Sequence, residues 1–81
     1  MDNEIAQKLA RLEAYERMHA DMIAQFEKTT AQVDERKAAG RMKGATGNQL
    51  LAQKMTYKNI VSTYALYDIP APKTEPENDD R

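Results

Sequence analysis

A single histidine is the strongest candidate for chemistry in this sequence. His19 is the only imidazole, and the chain contains no cysteine. Glu16 lies three residues before it, which is the spacing that di-iron helical bundles use for a metal-binding Glu and His. Such a site needs further inward glutamates, and one histidine per chain supplies too few ligands for zinc. We therefore expect no metal and no cofactor, and we interpret His19 as an interfacial side chain, with a pH-sensitive joint as the alternative.

Two pairs of neighbouring carboxylates also deserve consideration as acid–base catalysts. They are Glu13 with Glu16, and Asp34 with Glu35. General acid–base catalysis needs two carboxyl groups that lie in a pocket and differ in environment. These acids instead fall on a predicted exposed helix face, where Glu13 and Arg17 form an ordinary i,i+4 pair. The sequence thus predicts that the protein is not an enzyme and has no small-molecule substrate.

Three glycines in a short basic segment raise the question of a phosphate-binding loop. Gly40, Gly44 and Gly47 are spaced by four and three residues. A phosphate-binding loop of the Walker type follows a strand and carries Gly-Lys-Ser/Thr. Here Lys43 precedes Gly44, and a helix precedes the loop, so the match fails. The weaker possibility that remains is an anion held at the start of the next helix.

Charge is unevenly distributed along the chain. Residues 1–35 carry four bases against eight acids, a balance of −4, whereas residues 36–58 carry six bases and no acid. A basic segment around a flexible loop is typical of proteins that contact nucleic-acid phosphates. It equally suits pairing within the fold, with Asp21 and Glu27 as acids on the preceding helix. Both interpretations stay open for the six bases, which are Arg36, Lys37, Arg41, Lys43, Lys54 and Lys58.

The elements that position these residues are predicted to be helices. Residues 4–39 contain no glycine and no proline and are rich in good helix formers. Asp2 or Asn3 can cap the start of this helix, and Gly40 stands where a left-handed residue commonly ends one. The sequence therefore predicts one long first helix of about 54 Å at 1.5 Å per residue.

A loop and a second helix are predicted to follow. The glycines assign residues 40–47 to the loop. A second helix is predicted at 48–67, with Thr46 as its N-cap and Gln49 reaching back in a capping box. A strand over 56–64 is the alternative, because Thr, Tyr, Ile and Val favour strands. The apolar residues there do not alternate, so a helix is favoured.

The end of the chain and its compartment are predicted from composition. Pro70 and Pro72 end the second helix, and the acidic stretch 70–81 contains no apolar residue larger than alanine, which predicts a disordered tail. The first residues lack the pattern of a secretory signal, and no apolar run approaches the ~20 residues of a membrane span. We expect a cytoplasmic protein that does not contact a membrane.

An apolar stripe and a length mismatch predict how the helices assemble. From Ile5 to Val33 the stripe advances 28 residues in eight steps, a mean of 3.5 that is typical of coiled coils. A short loop makes the helices antiparallel, so residue 67 lies opposite about residue 20. The first half of the stripe is then uncovered, which predicts an all-α hairpin that dimerises into a four-helix or coiled-coil-like assembly. The predicted interface with a second copy or another protein comprises Ile5, Leu9, Leu12, Tyr15, Met18, His19 and Met22.

Together these features favour a non-catalytic protein-interaction or regulatory module that acts as a homodimer. The alternative is a nucleic-acid-associated protein that contacts phosphates through the basic 36–58 segment. The sequence predicts self-association and an unidentified protein partner, and it leaves nucleic acid open as a partner. The salt dependence of binding to mixed-sequence DNA separates the two hypotheses.

Overall fold

The computed structural model describes residues 2–72, and all regular structure in that range is helical. Helix α1 spans Asp2–Ala38 and helix α2 spans Ala45–Leu66. The two helices pack against each other as an antiparallel hairpin, which confirms the predicted all-α fold. Within the described residues, no helix is both long enough and apolar enough to cross a membrane. The predicted tail lies outside the described residues from position 73 onward.

Helix α1 ends in a hydrogen-bonded reversal at Gly40. The Gly40 N–H donates to the Lys37 carbonyl at 3.0 Å, and the Arg41 N–H donates to the Arg36 carbonyl at 2.8 Å. This pair of bonds is the Schellman arrangement, which needs a left-handed residue after the helix. Gly40 supplies it with φ of 70°, a value that costs glycine little because it has no Cβ. The predicted role of Gly40 is therefore confirmed.

Helix α2 begins earlier than predicted, and the predicted capping box is wrong. Its N-cap is Gly44, no side chain caps it, and Thr46 lies within the first turn. The backbone approaches itself closely at this point: a Cβ on the buried Gly47 would lie 2.6 Å from the carbonyl carbon of Met42. The loop backbone thus packs directly on the first turn of α2, and this contact requires glycine at position 47.

Two threonines of α2 bond back to the backbone of the helix. The Thr56 hydroxyl donates to the Ala52 carbonyl at 3.0 Å, and the Thr63 hydroxyl donates to the Asn59 carbonyl at 2.8 Å. Threonine in a helix commonly makes this bond to the carbonyl four residues earlier. The segment 56–64, for which a strand was the alternative, is helical throughout, as the absence of alternation predicted.

Helix α2 ends at a second reversal, which is built without glycine. Asp68 adopts φ of 57°, the left-handed conformation. Its N–H donates to the Ala65 carbonyl at 3.0 Å, and the Ile69 N–H donates to the Tyr64 carbonyl at 3.1 Å. This is again the Schellman pattern, here with an aspartate at the position that favours glycine. The reversal redirects residues 69–72 away from the axis of α2.

The core of the hairpin is small and lies in the second half of α1. Val33 is fully buried, and Thr29 and His19 are 3% and 5% exposed. His19 and Thr29 are the two least apolar members of the stripe, and both are nevertheless covered within their own chain. Every residue from 2 to 18 is exposed. Helix α2 therefore covers α1 only from His19 onward.

Candidate functional site

The uncovered part of the α1 stripe is the largest feature that the hairpin leaves without a partner. Five large apolar side chains on it are 45–56% exposed. They recur at steps of three and four residues, so they share one face of the helix. Contiguous apolar surface of this kind usually marks an interaction site. We call these residues the open stripe: Ile5, Leu9, Leu12, Tyr15 and Met18.

The open stripe stops where an aromatic pair closes the hairpin. The rings of His19 and Tyr64 are stacked, with centroids 3.7 Å apart and an angle of 8° between their planes. Met22, on the next turn, is half-buried. His19 is therefore covered within its own chain, whereas Met22 keeps part of its surface accessible. The predicted interface as a whole stays a prediction. Periodicity identifies the stripe but does not tell which helix covers each part of it.

A cavity of about 300 Å³ adjoins the stacked pair on the side of the open stripe. One wall belongs to α1, and the opposite wall is made by Ile69, Pro70 and Pro72, which return toward α1 after the reversal at Asp68. Glu16 is the only acid among the lining residues. The lining otherwise consists mainly of apolar and aromatic side chains, and it comprises Leu12, Tyr15, Glu16, His19, Tyr64, Ile69, Pro70 and Pro72.

Four of the six bases singled out in the sequence lie at the loop end of the hairpin. Arg36 and Lys37 stand in the last turn of α1, and Arg41 and Lys43 stand in the loop. The first turn of α2, which follows, contains no acid. The Nε atom of Arg36 is buried and has no hydrogen-bond partner among the described residues. The structure therefore gathers positive charge at the end of the molecule opposite the open stripe.

The remaining two bases occupy a different environment. Lys54 and Lys58 line an open groove of about 470 Å³ between the helices, together with Glu27 and Asp34. Opposite charges that share a groove favour each other, although exposed pairs contribute only ~0.2–1 kcal/mol. The buried hydroxyl of Thr30 lines the same groove and has no hydrogen-bond partner among the described residues. This placement suits charge pairing within the fold at Lys54 and Lys58.

The candidate acid, base and metal-binding side chains come together at only one place among residues 2–72, the cavity beside the stacked pair. His19 and Glu16 line the same cavity, but the described part of the chain holds no group of three or more His, Cys, Asp or Glu side chains placed to bind a metal ion. The carboxylates of Glu13, Asp34 and Glu35 are on exposed positions of α1. What the arrangement does offer is apolar docking surface at one end and positive charge at the other.

The return of residues 69–72 is the element that sequence reasoning missed. Positions 70–72 were predicted to belong to the disordered tail, whereas they form one wall of the cavity and Pro72 is half-buried. Aspartate is among the few residues that tolerate the left-handed conformation. The sequence offers one indication of this reversal: Asp68 is followed by Ile69 and then by Pro70 and Pro72.

Comparison with known proteins returns no relative for this chain: no family model, curated protein or solved structure matches it.

Proposed function

We propose that this protein is a non-catalytic helical interaction module that forms a homodimer through the open stripe. One observation carries the proposal. The apolar face that α2 covers from His19 onward continues without a break to Ile5, yet every residue from 2 to 18 is exposed. A helix that keeps its apolar face beyond the reach of its own partner is typical of a helix that packs against another chain.

The energetic argument rests on the degree of exposure. Fully burying a large apolar side chain contributes roughly 1.5–3 kcal/mol. The side chains of the open stripe are about half exposed as they stand, so covering them recovers on the order of 1 kcal/mol each. In a homodimer both copies contribute the same set. The gain is shared by every position of the stripe, which favours an extended helix-on-helix contact over a single anchoring residue.

A second copy is the partner that the length of the stripe supports best. The uncovered stretch of α1, residues 2–18, is about 25 Å long at 1.5 Å per residue. The same stretch of a second copy has the same length and the same 3.5-residue spacing of apolar side chains, which is the requirement for continuous packing between two helices. A homodimer therefore covers both open stripes at once and leaves neither partly exposed.

The experiment is sedimentation velocity over a range of protein concentrations. The parent chain is expected to sediment as a dimer that dissociates on dilution. Leu9→Gln and Leu12→Gln are expected to sediment as monomers, because each puts a polar amide into the interface. Both residues are more than half exposed in the hairpin, so the monomer should keep its helical circular dichroism.

Leu66→Gln is the matched control. Leu66 is 81% exposed and lies at the end of α2, outside the open stripe. The same chemical change there is expected to leave the dimer intact. A parent chain that sediments as a monomer at all concentrations contradicts the proposal, as does a Leu66→Gln variant that dissociates as much as Leu9→Gln.

A second candidate function is binding to nucleic-acid phosphates. The observation that favours it is the clustering of Arg36, Lys37, Arg41 and Lys43 around the loop, next to a helix start that carries no acid. Unpaired N–H groups at a helix start favour anions, and neighbouring bases add to this preference. In a homodimer formed by the open stripe, the two loops remain free because they lie at the other end of each hairpin.

A further inference from the structure

We infer that the cavity between α1 and residues 69–72 receives the side chain of Ile5 from a second copy, in a dimer whose α1 helices run antiparallel along the open stripe. This inference rests on the proposed self-association and adds the orientation, the register and the residue that each copy contributes to the other. It assigns a role to the 300 Å³ cavity, which the residues that the structure describes do not fill.

The orientation follows from where α2 ends. Tyr64 lies on His19, and residues 69–72 lie beside Leu12 and Tyr15. In a parallel dimer, the second copy's α1 would run past His19 along the face of α1 that α2 already covers, and it would overlap with α2. In an antiparallel dimer, the segments lie at opposite ends of the contact. Each then abuts the start of the other copy's α1.

The register follows from the length of the exposed stretch. The contact covers residues 2–18 of both copies when residue 2 of one copy lies opposite residue 18 of the other. Residues whose numbers add up to about 20 are then at the same level. Ile5 of the second copy lies at the level of Tyr15, and Leu9 of the second copy lies close to Leu12. The cavity is open at this level, because Leu12 and Tyr15 line it and are themselves more than half exposed.

The chemistry of the cavity fits an aliphatic side chain. Its walls are mainly leucine, isoleucine, proline and aromatic rings, which offer apolar contact over most of their area. The volume of about 300 Å³ is ample for one isoleucine side chain and is near the lower limit for small-molecule sites. A two-fold axis makes the interface self-complementary, so each copy fills the cavity of the other. Ile5, at 56% exposed, thereby gains cover that residues 2–72 of its own chain do not provide.

Disulfide cross-linking tests the orientation, because the chain contains no cysteine of its own. We would make Ile5→Cys and Tyr15→Cys as separate proteins and equilibrate each alone, and both together, in a glutathione redox buffer. A disulfide needs Cα atoms roughly 4.4–6.8 Å apart. In the antiparallel dimer the two positions face each other only in the mixture. Either variant alone separates its own cysteines by ten residues, or about 15 Å along the axis.

The expected result is a covalent dimer from the mixture and only monomer from each variant alone on a non-reducing gel. Asp2→Cys mixed with Met18→Cys is a second pair whose numbers also add up to 20, and it should give the same result, which covers the case in which Tyr15→Cys weakens the contact. Cross-linking of Ile5→Cys with itself shows a parallel dimer and overturns the inference while leaving the proposed homodimer intact. Absence of cross-linking in both mixtures, with variants that sediment as dimers, also overturns it. A parent chain that sediments as a monomer rules out both the proposed function and this inference.

Discussion

The imidazole of His19 lies flat against the phenol ring of Tyr64, with 3.7 Å between the ring centroids. This stack joins the middle of α1 to the last turns of α2 and marks the point at which packing between α1 and α2 ends. On one side of it α1 is covered by α2, and on the other side every residue of α1 is exposed. The pair therefore separates the folded hairpin from the surface proposed to bind a second copy.

Removing either ring of the stack should destabilise the hairpin. An aromatic pair contributes roughly 0.5–1.5 kcal/mol beyond the area it buries. We expect His19→Ala and Tyr64→Ala each to lower the free energy of unfolding, and the double variant to lose less than the sum of the two. Urea unfolding monitored by circular dichroism measures this coupling. Tyr67→Ala is the control, since Tyr67 is 74% exposed; additive losses at His19 and Tyr64 would mean that the stack contributes nothing.

Gly47→Ala should destabilise the protein, although alanine is the better helix former. In an open helix position this change is expected to stabilise by about 1 kcal/mol. Here the added Cβ would lie 2.6 Å from the carbonyl carbon of Met42, and overpacking of this kind costs roughly 1–3 kcal/mol. Thermal unfolding measures the sign. Asn48→Ala, at the next and exposed position, is the control and should be neutral or stabilising. A stabilised Gly47→Ala variant would show that the loop does not pack on α2.

Asp68→Gly should stabilise the protein. Asp68 holds φ of 57°, and glycine adopts this conformation without the steric cost of a Cβ, which is roughly 1–2 kcal/mol for an ordinary residue and less for aspartate. We expect a gain of about 0.5–1 kcal/mol in the free energy of unfolding. Asp34→Gly, on an exposed turn within α1, is the matched control and should lose about as much. A loss of stability at position 68 would argue against the second reversal.

The two groups of bases should differ in their effect on nucleic-acid binding. Fluorescence anisotropy of mixed-sequence duplex DNA at low and moderate salt measures the affinity and its salt dependence. If the loop cluster contacts phosphates, Arg41→Ala and Lys43→Ala each weaken binding and reduce the salt slope by about 1. Lys54→Ala and Lys58→Ala, which share a groove with acids, serve as controls and change the affinity less. If the parent chain does not bind DNA at low salt, this second candidate function is ruled out.

Much of the fold could be predicted because its signals are local. The stretch without glycine or proline gives α1, and Gly40 ends it where a left-handed residue was expected. The short loop and the unequal helix lengths correctly predict that α2 reaches only the second half of α1. These features depend on composition, spacing and chain geometry, none of which requires knowledge of distant contacts.

The features that could not be predicted depend on contacts that exist only once the chain has folded. Thr46 and Gln49 form a plausible capping box in the sequence, but α2 starts at Ala45, and the backbone of Met42 packs against Gly47 in its first turn. The apolar neighbours of His19 in the sequence favour a place in an interface between chains. In the structure His19 stacks on Tyr64, because the register of α2 against α1 brings the two rings together. The wall formed by residues 69–72 depends on the backbone at Asp68. In each case the tertiary contact decides between local options that the sequence leaves equal.

The difference in length between α1 and α2 has a consequence for how the protein responds to its own abundance. Residues 19–38 of α1 are held by a partner on the same chain, so their amide protons should exchange at a rate that does not depend on concentration. Residues 2–18 have no helix packed on them within the part of the chain that the structure describes, and a lone helix of that length is marginal in water. On the proposed dimer, their protection from exchange rises with concentration. The two halves of one continuous helix would then differ in stability. The stability of residues 2–18 would depend on the protein concentration, and that of residues 19–38 would not.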